Sequence, residues 1–130
     1  MNPWTLALGA LFSAAAVATG AFGAHALQST LSAQARGWYD TAVTYHSIHA
    51  IGLLICGLTA LHASNDAQLW FNVSAGCFIA GIALFSGSLY IMAFTGITKL
   101  GMITPIGGLL LIFAWISLAL GSLKITSGIN

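Results

Sequence analysis

The chain has 130 residues, 58% of them apolar and 4% charged, with three Lys or Arg against two acidic residues. A soluble domain is about a quarter charged, so this composition and a mean hydropathy of +0.95 describe a membrane protein. A net charge of +1 without a basic run excludes nucleic acid as a partner and any polybasic lipid-binding tail.

A hydrocarbon core of about 30 Å takes about 20 apolar residues per helix. The expected fold is therefore all-α, a four-helix transmembrane bundle. It forms one integral membrane domain over residues 1–130, with spans near 4–27, 41–62, 69–94 and 102–123. The first span opens at Pro3 and Trp4 and holds no acid or base before His25. No basic residue precedes it and it exceeds the apolar length of a signal peptide, so it is expected to remain as a span. At 100° per residue Ala7, Ala14, Ala18, Ala21 and His25 share one face, and Gly9, Ser13, Ala16, Gly20 and Gly23 share the opposite one. Small residues allow close helix approach, because contact rather than hydrophobicity drives association in lipid. Both faces are expected to meet protein, His25 included.

Residues 28–40 are the most polar stretch, with Arg36 and Asp40 spaced to pair. Leu27, Leu31, Ala35 and Trp38 keep a helical spacing that suits a short interfacial helix; a solvated connector is the alternative. In the second span Thr41, Tyr45, His49, Gly52, Cys56 and Thr59 fall in one narrow sector with His46 beside them, a polar stripe expected to face the interior. Cys56 and Cys77 lack a Cys-x-x-Cys spacing and read as packing residues. His62 belongs to the loop before the third span and reads as solvated. In the third span Gly76, Ala80, Ala83, Gly87 and Tyr90 mark a stripe for close packing, flanked by Ser86 and Ser88. A short turn with Lys99 leads to the fourth span, whose first turns hold Thr104, Pro105, Gly107 and Gly108. Proline is tolerated there because its missing amide hydrogen would be unpaired anyway.

Spans one and three end, and spans two and four begin, on the same side. His25, Tyr45, His46, His49, Ser86, Ser88, Tyr90 and Thr104 are thereby expected at one leaflet as a polar cluster that could bind a ligand. Positive charge does not orient the bundle, with Arg36 and Lys99 on that side and Lys124 on the other.

The run GAFGAHAL at 20–27, Trp38, Tyr45 with His49-Ala50, LFSGSLY at 84–90, TPIGG at 104–108 and Trp115 resemble, in the same order, the YgdD-like (DUF423) family of small bacterial inner-membrane proteins. Ala114 departs from the glycine usual before that tryptophan. The resemblance covers nearly the whole chain and implies a four-span protein of the bacterial inner (plasma) membrane. Cytoplasmic termini are implied by the family's basic C-terminal tail, reduced here to Lys124. It brings no activity.

Four functional readings follow. The first is a structural, assembly or partner-binding bundle whose partners are the lipid bilayer and either a second copy or another membrane protein. The second is a metal or haem site at His25, His46 and His49, since neutral imidazole is the commonest metal ligand; without a nearby Cys, Asp or Glu to complete a set, no cofactor is the working expectation. The third is a conduit for a proton or small solute lined by the histidines, Ser86, Ser88 and Tyr90. The last, an enzyme built on Ser86, His49 and Asp40, lacks a strand-turn-helix elbow and is not expected.

Overall fold

The computed structural model describes residues 3–127. Four helices, α1 (Trp4–His25), α2 (Ala33–Ala60), α3 (Asn65–Thr95) and α4 (Thr104–Ser127), alternate in direction across short connections. Each is long and apolar enough to cross a membrane, and the protein is an all-α, four-helix membrane bundle. α1 packs along α2, α2 along α3 and α3 along α4, while α2 and α4 share only a short contact.

Local chemistry sets the boundaries. The Ser32 hydroxyl accepts the Ala35 amide at 3.1 Å and caps α2, satisfying a donor the first turn would otherwise leave open. Between Ala33 and Thr41 no proline intervenes, so the helix propagates straight into the span. The proposed interfacial helix is thus absent as a separate element: residues 26–32 form turns, and Arg36 to Asp40 lie in the first turns of α2. Arg36 Nε faces Asp40 at 3.9 Å, and Arg36 Nη2 donates to the Gly23 carbonyl in the last turn of α1 at 3.4 Å, where a cation complements the helix end. α3 stops at Gly96, whose φ of +70° lets its amide return to the Met92 carbonyl at 2.8 Å. A 3-10 turn over Thr98–Met102 then leads into α4.

The two faces of α1 behave oppositely. Gly9, Ala16 and Gly23 are buried against α2, with Ser13 and Gly20 half-buried. A side chain on Gly9 would meet the Leu54 backbone at 2.7 Å, and one on Gly57 the Leu6 backbone at 2.9 Å, so these glycines permit the approach of the two backbones. Ala7, Ala14, Ala18, Ala21 and His25 are all exposed. The expectation that this second face meets protein is corrected within the single chain: α1 stands at the edge of the bundle and only one of its sides has a long helix contact.

On α3 the expected stripe is corrected too. Nothing lies within 4 Å of a side-chain position at Gly76 or Gly87. The close approaches use Gly81, which abuts Leu111, and Gly107 of α4, which abuts the backbone of Leu84 and Phe85. The buried face of α3 runs through Phe71, Ser74, Ala75, Phe78, Ile82, Ser86 and Leu89, more than a third of the way round the wheel from Gly76. Phe71, Phe78, Leu53 and Cys56 are completely buried in the interior on the side of the α2–α3 connection. Polar groups in this interior donate to carbonyls of neighbouring helices: Ser74 to Ala114 at 2.8 Å, Ser86 to Ala42 at 2.8 Å and Cys56 to Phe71 at 3.3 Å. Each such bond is worth about 0.6 kcal/mol and fixes register more than it stabilises.

Candidate functional site: a lateral groove at mid-depth

The polar residues of the sequence separate into three places. Near the connection between α1 and α2, Tyr39 Oη donates to the Thr19 carbonyl at 2.5 Å, while Tyr90 Oη lies 3.2 Å from Thr19 Oγ1 and 3.0 Å from His46 Nδ1. These contacts tie α1, α2 and α3 together. Thr19 and Tyr39 were not anticipated as members, and only the level of Tyr90 on the opposing helix could have pointed to them. Ser88 Oγ pairs with Thr104 Oγ1 at 2.7 Å and pins the start of α4 to α3.

His46 and His49 lie deeper than the expected leaflet cluster. His46 is buried, its ring edge-on to Phe12 at 6.2 Å, with Nε2 turned toward α1 and lacking a hydrogen bond. His49 is also buried and touches the rings of Phe78 and Trp115 at 6.2 and 6.1 Å, both near the middles of their helices. The physical reason is the early start of α2: counted from Ala33 rather than Thr41, both histidines sit about two turns further in. His25 is exposed at the end of α1, nearly two turns beyond Thr19, the α1 residue that His46 reaches through Tyr90. The three histidines therefore do not converge, and among the described residues no three His, Cys, Asp or Glu come together to hold a metal. Nor do Ser86, His49 and Asp40 form a relay. Ser86 donates to Ala42, His49 bonds the Tyr45 carbonyl, and Asp40 faces Arg36.

What the sequence did not disclose is a groove of about 540 Å3 between α2 and α4. Where Gly52 meets the rings of Phe78 and Trp115, the two helices touch. Toward the Tyr45 and Pro105 end they diverge, and Phe85 and Leu111 form the floor. One wall is Tyr45 and His49, the other Pro105, Gly108, Leu109, Ile112 and Trp115. Tyr45, expected to face the interior, is exposed and stacks on His49 with centroids 5.6 Å apart, its other neighbour being Phe85 at 4.4 Å. Gly107 and Gly108 divide the work. The first admits the α3 backbone, whereas a side chain on the second would meet the Phe85 ring only at ordinary contact distance, 3.6 Å. The groove is apolar and aromatic with one imidazole, the usual make-up of a small-molecule site. A second crevice, about 230 Å3, lies between α1 and α3 and is lined by Phe12, His46, Ser86, Gly87 and Tyr90. The two histidines thus serve different crevices although three residues apart.

Comparison with known proteins agrees with this architecture. The family model described as "Protein of unknown function (DUF423)" matches residues 19–108. The UPF0382 membrane protein SSP2132 of Staphylococcus saprophyticus is 45% identical over 91% of this chain and 95% of its own length. The UPF0382 membrane protein of Haemophilus influenzae is 45% identical over 92% and 93%. The UPF0382 inner membrane protein YgdD of Escherichia coli is 35% identical over 84% of this chain and 81% of its own. No solved structure matches.

Proposed function

Because the chain belongs to the DUF423 family of membrane proteins, we propose that it is a binding bundle of the bacterial inner (plasma) membrane, receiving an apolar partner sideways from the bilayer through the α2–α4 groove. The observation that carries this reading is the groove itself. It is a crevice of about 540 Å3 lined by aromatic rings, running from the Pro105 end of α4 to Trp115 at mid-depth, and it opens between helices whose outer faces are Leu, Ile and Phe. A histidine at the level of the bilayer centre is costly unless it serves a function or is fully paired. The lipid bilayer is the first partner in this reading, and the occupant of the groove enters from it. A second copy or another membrane protein would use the exposed small face of α1.

A conduit has less support. Phe71, Phe78, Leu53 and Cys56 pack the interior opposite the groove mouth, and there and at mid-depth the Ser74 and Ser86 hydroxyls are turned to backbone carbonyls rather than along a path. No cofactor and no catalytic group enter the reading. Four spans put both termini on one side, which we assign to the cytoplasm on the family resemblance; reporter fusions at each end check this. The function itself is tested by native mass spectrometry of the protein released from its own membrane. A retained apolar small molecule or lipid, lost when Gly108→Val fills the groove, is the expected result. A bare chain with identical spectra for both proteins would contradict it.

A further inference from the structure

We propose that the occupant of the α2–α4 groove is an apolar molecule carrying a hydroxyl, a hydrophobic alcohol or phenol dissolved in the bilayer, whose O–H is accepted by His49 Nε2. This rests on the reading of the groove as a lateral binding site and names what it selects.

The selectivity follows from the tautomer. His49 Nδ1 lies 2.6 Å from the Tyr45 carbonyl oxygen. A carbonyl oxygen can only accept, so Nδ1 carries the hydrogen, and in the neutral ring Nε2 is left as a lone pair. Among the described residues no protein donor reaches that nitrogen, although His49 is 93% buried (7% exposed). The bond to Tyr45 also fixes the ring, which is held between Tyr45 on one side and Phe78 and Trp115 on the other. The result is a rigid acceptor at the wall of an apolar groove of about 540 Å3, a volume within the range of small-molecule sites, roughly 300–1,000 Å3.

The complement of a lone acceptor in hydrocarbon is a lone donor. A hydroxyl dissolved near the bilayer centre has no water to bond, so an acceptor there gives its carrier an advantage that an ether or hydrocarbon of the same shape cannot gain. A lipid acyl chain fits the apolar walls but leaves Nε2 unpaired. The neighbouring rings of Tyr45, Phe85 and Trp115 favour an aromatic body on the hydroxyl.

The test uses the full chain in phosphatidylcholine nanodiscs, with Trp4, Trp38 and Trp70 replaced by Phe so that Trp115 alone reports. The probes are 4-hexylphenol and 4-hexylanisole, compared at equal mole fraction in the membrane. The expected result is saturable quenching by both, with the phenol at least about tenfold tighter, and loss of that preference in His49→Phe. Histidine labelled with 15N supplies a second readout, a shift of His49 Nε2 on addition of the phenol alone. Equal binding of phenol and ether to the unsubstituted site overturns the inference while leaving the groove as a binding site. A preference that survives in His49→Phe also overturns it. Saturable binding of neither probe removes both this inference and the reading it rests on.

Discussion

The two halves of the bundle use the same residue types to opposite ends. Toward the α2–α3 connection, Gly9, Gly57 and Gly121 sit against neighbouring helices and Phe71, Phe78, Leu53 and Cys56 pack the interior between α2, α3 and α4, leaving open a crevice of about 380 Å3 beside Gly76, between the starts of α1 and α3. Toward the other end, Gly108 and Tyr45 face a gap, and rings line it instead of plugging it. In lipid the surroundings are as apolar as a core, so burial alone does not decide closure; backbone approach does. Small residues close a contact only where a second backbone lies opposite, and otherwise leave a hollow.

Neighbouring glycines give the sharpest way to break this contrast. Gly107→Val places a branched side chain on the α3 backbone, which cannot yield, and is expected to cost at least about 3 kcal/mol, the upper end for overpacking, read as loss of folded protein in a denaturant titration in detergent. Gly57→Leu in the closed half sets its side chain against the Leu6 backbone and is likewise expected to cost about 3 kcal/mol by the same measurement. Ser86→Ala removes one bond to a carbonyl and should cost about 0.6 kcal/mol. Gly108→Ala and Gly76→Ala should destabilise nothing, the new methyl meeting at most the Phe85 ring at ordinary contact distance while the helix gains up to about 1 kcal/mol, and His25→Leu at its exposed position should change stability by less than about 0.5 kcal/mol. A large loss from any of these three would show a contact that the closed and open regions as described do not contain.

Much of this was legible from residues. The four spans, the inward face of α1 through Gly9, Ala16 and Gly23, the Arg36–Asp40 pair, the Gly107 approach and the family all follow from pattern. Three features were not. His25 and its alanine face looked equivalent to the glycine face because periodicity identifies faces, and in a membrane lipid satisfies an apolar face as well as protein does. Gly76, Gly81 and Gly87 are equal in size, but the contact on α3 falls at Gly81, and only the opposing helix decides among them. The depth of His46 and His49 is hidden because hydropathy begins the second span at Thr41, while the Ser32 cap begins the helix at Ala33. The groove is a divergence of two helices that are not sequence neighbours, and no local signal encodes it.

Trp115 stands where the closed and open regions meet, half-exposed at the groove wall and in contact with His49 and Phe78. Quenching of Trp115 as the sole tryptophan, in bilayers of lipids brominated at successive chain positions, tests depth and lateral access together. Strong quenching that peaks for bromines near the chain ends is predicted. Quenching that peaks near the headgroups, or weak quenching at every depth, would contradict a lipid-accessible groove whose inner end, at Trp115, lies at the bilayer centre.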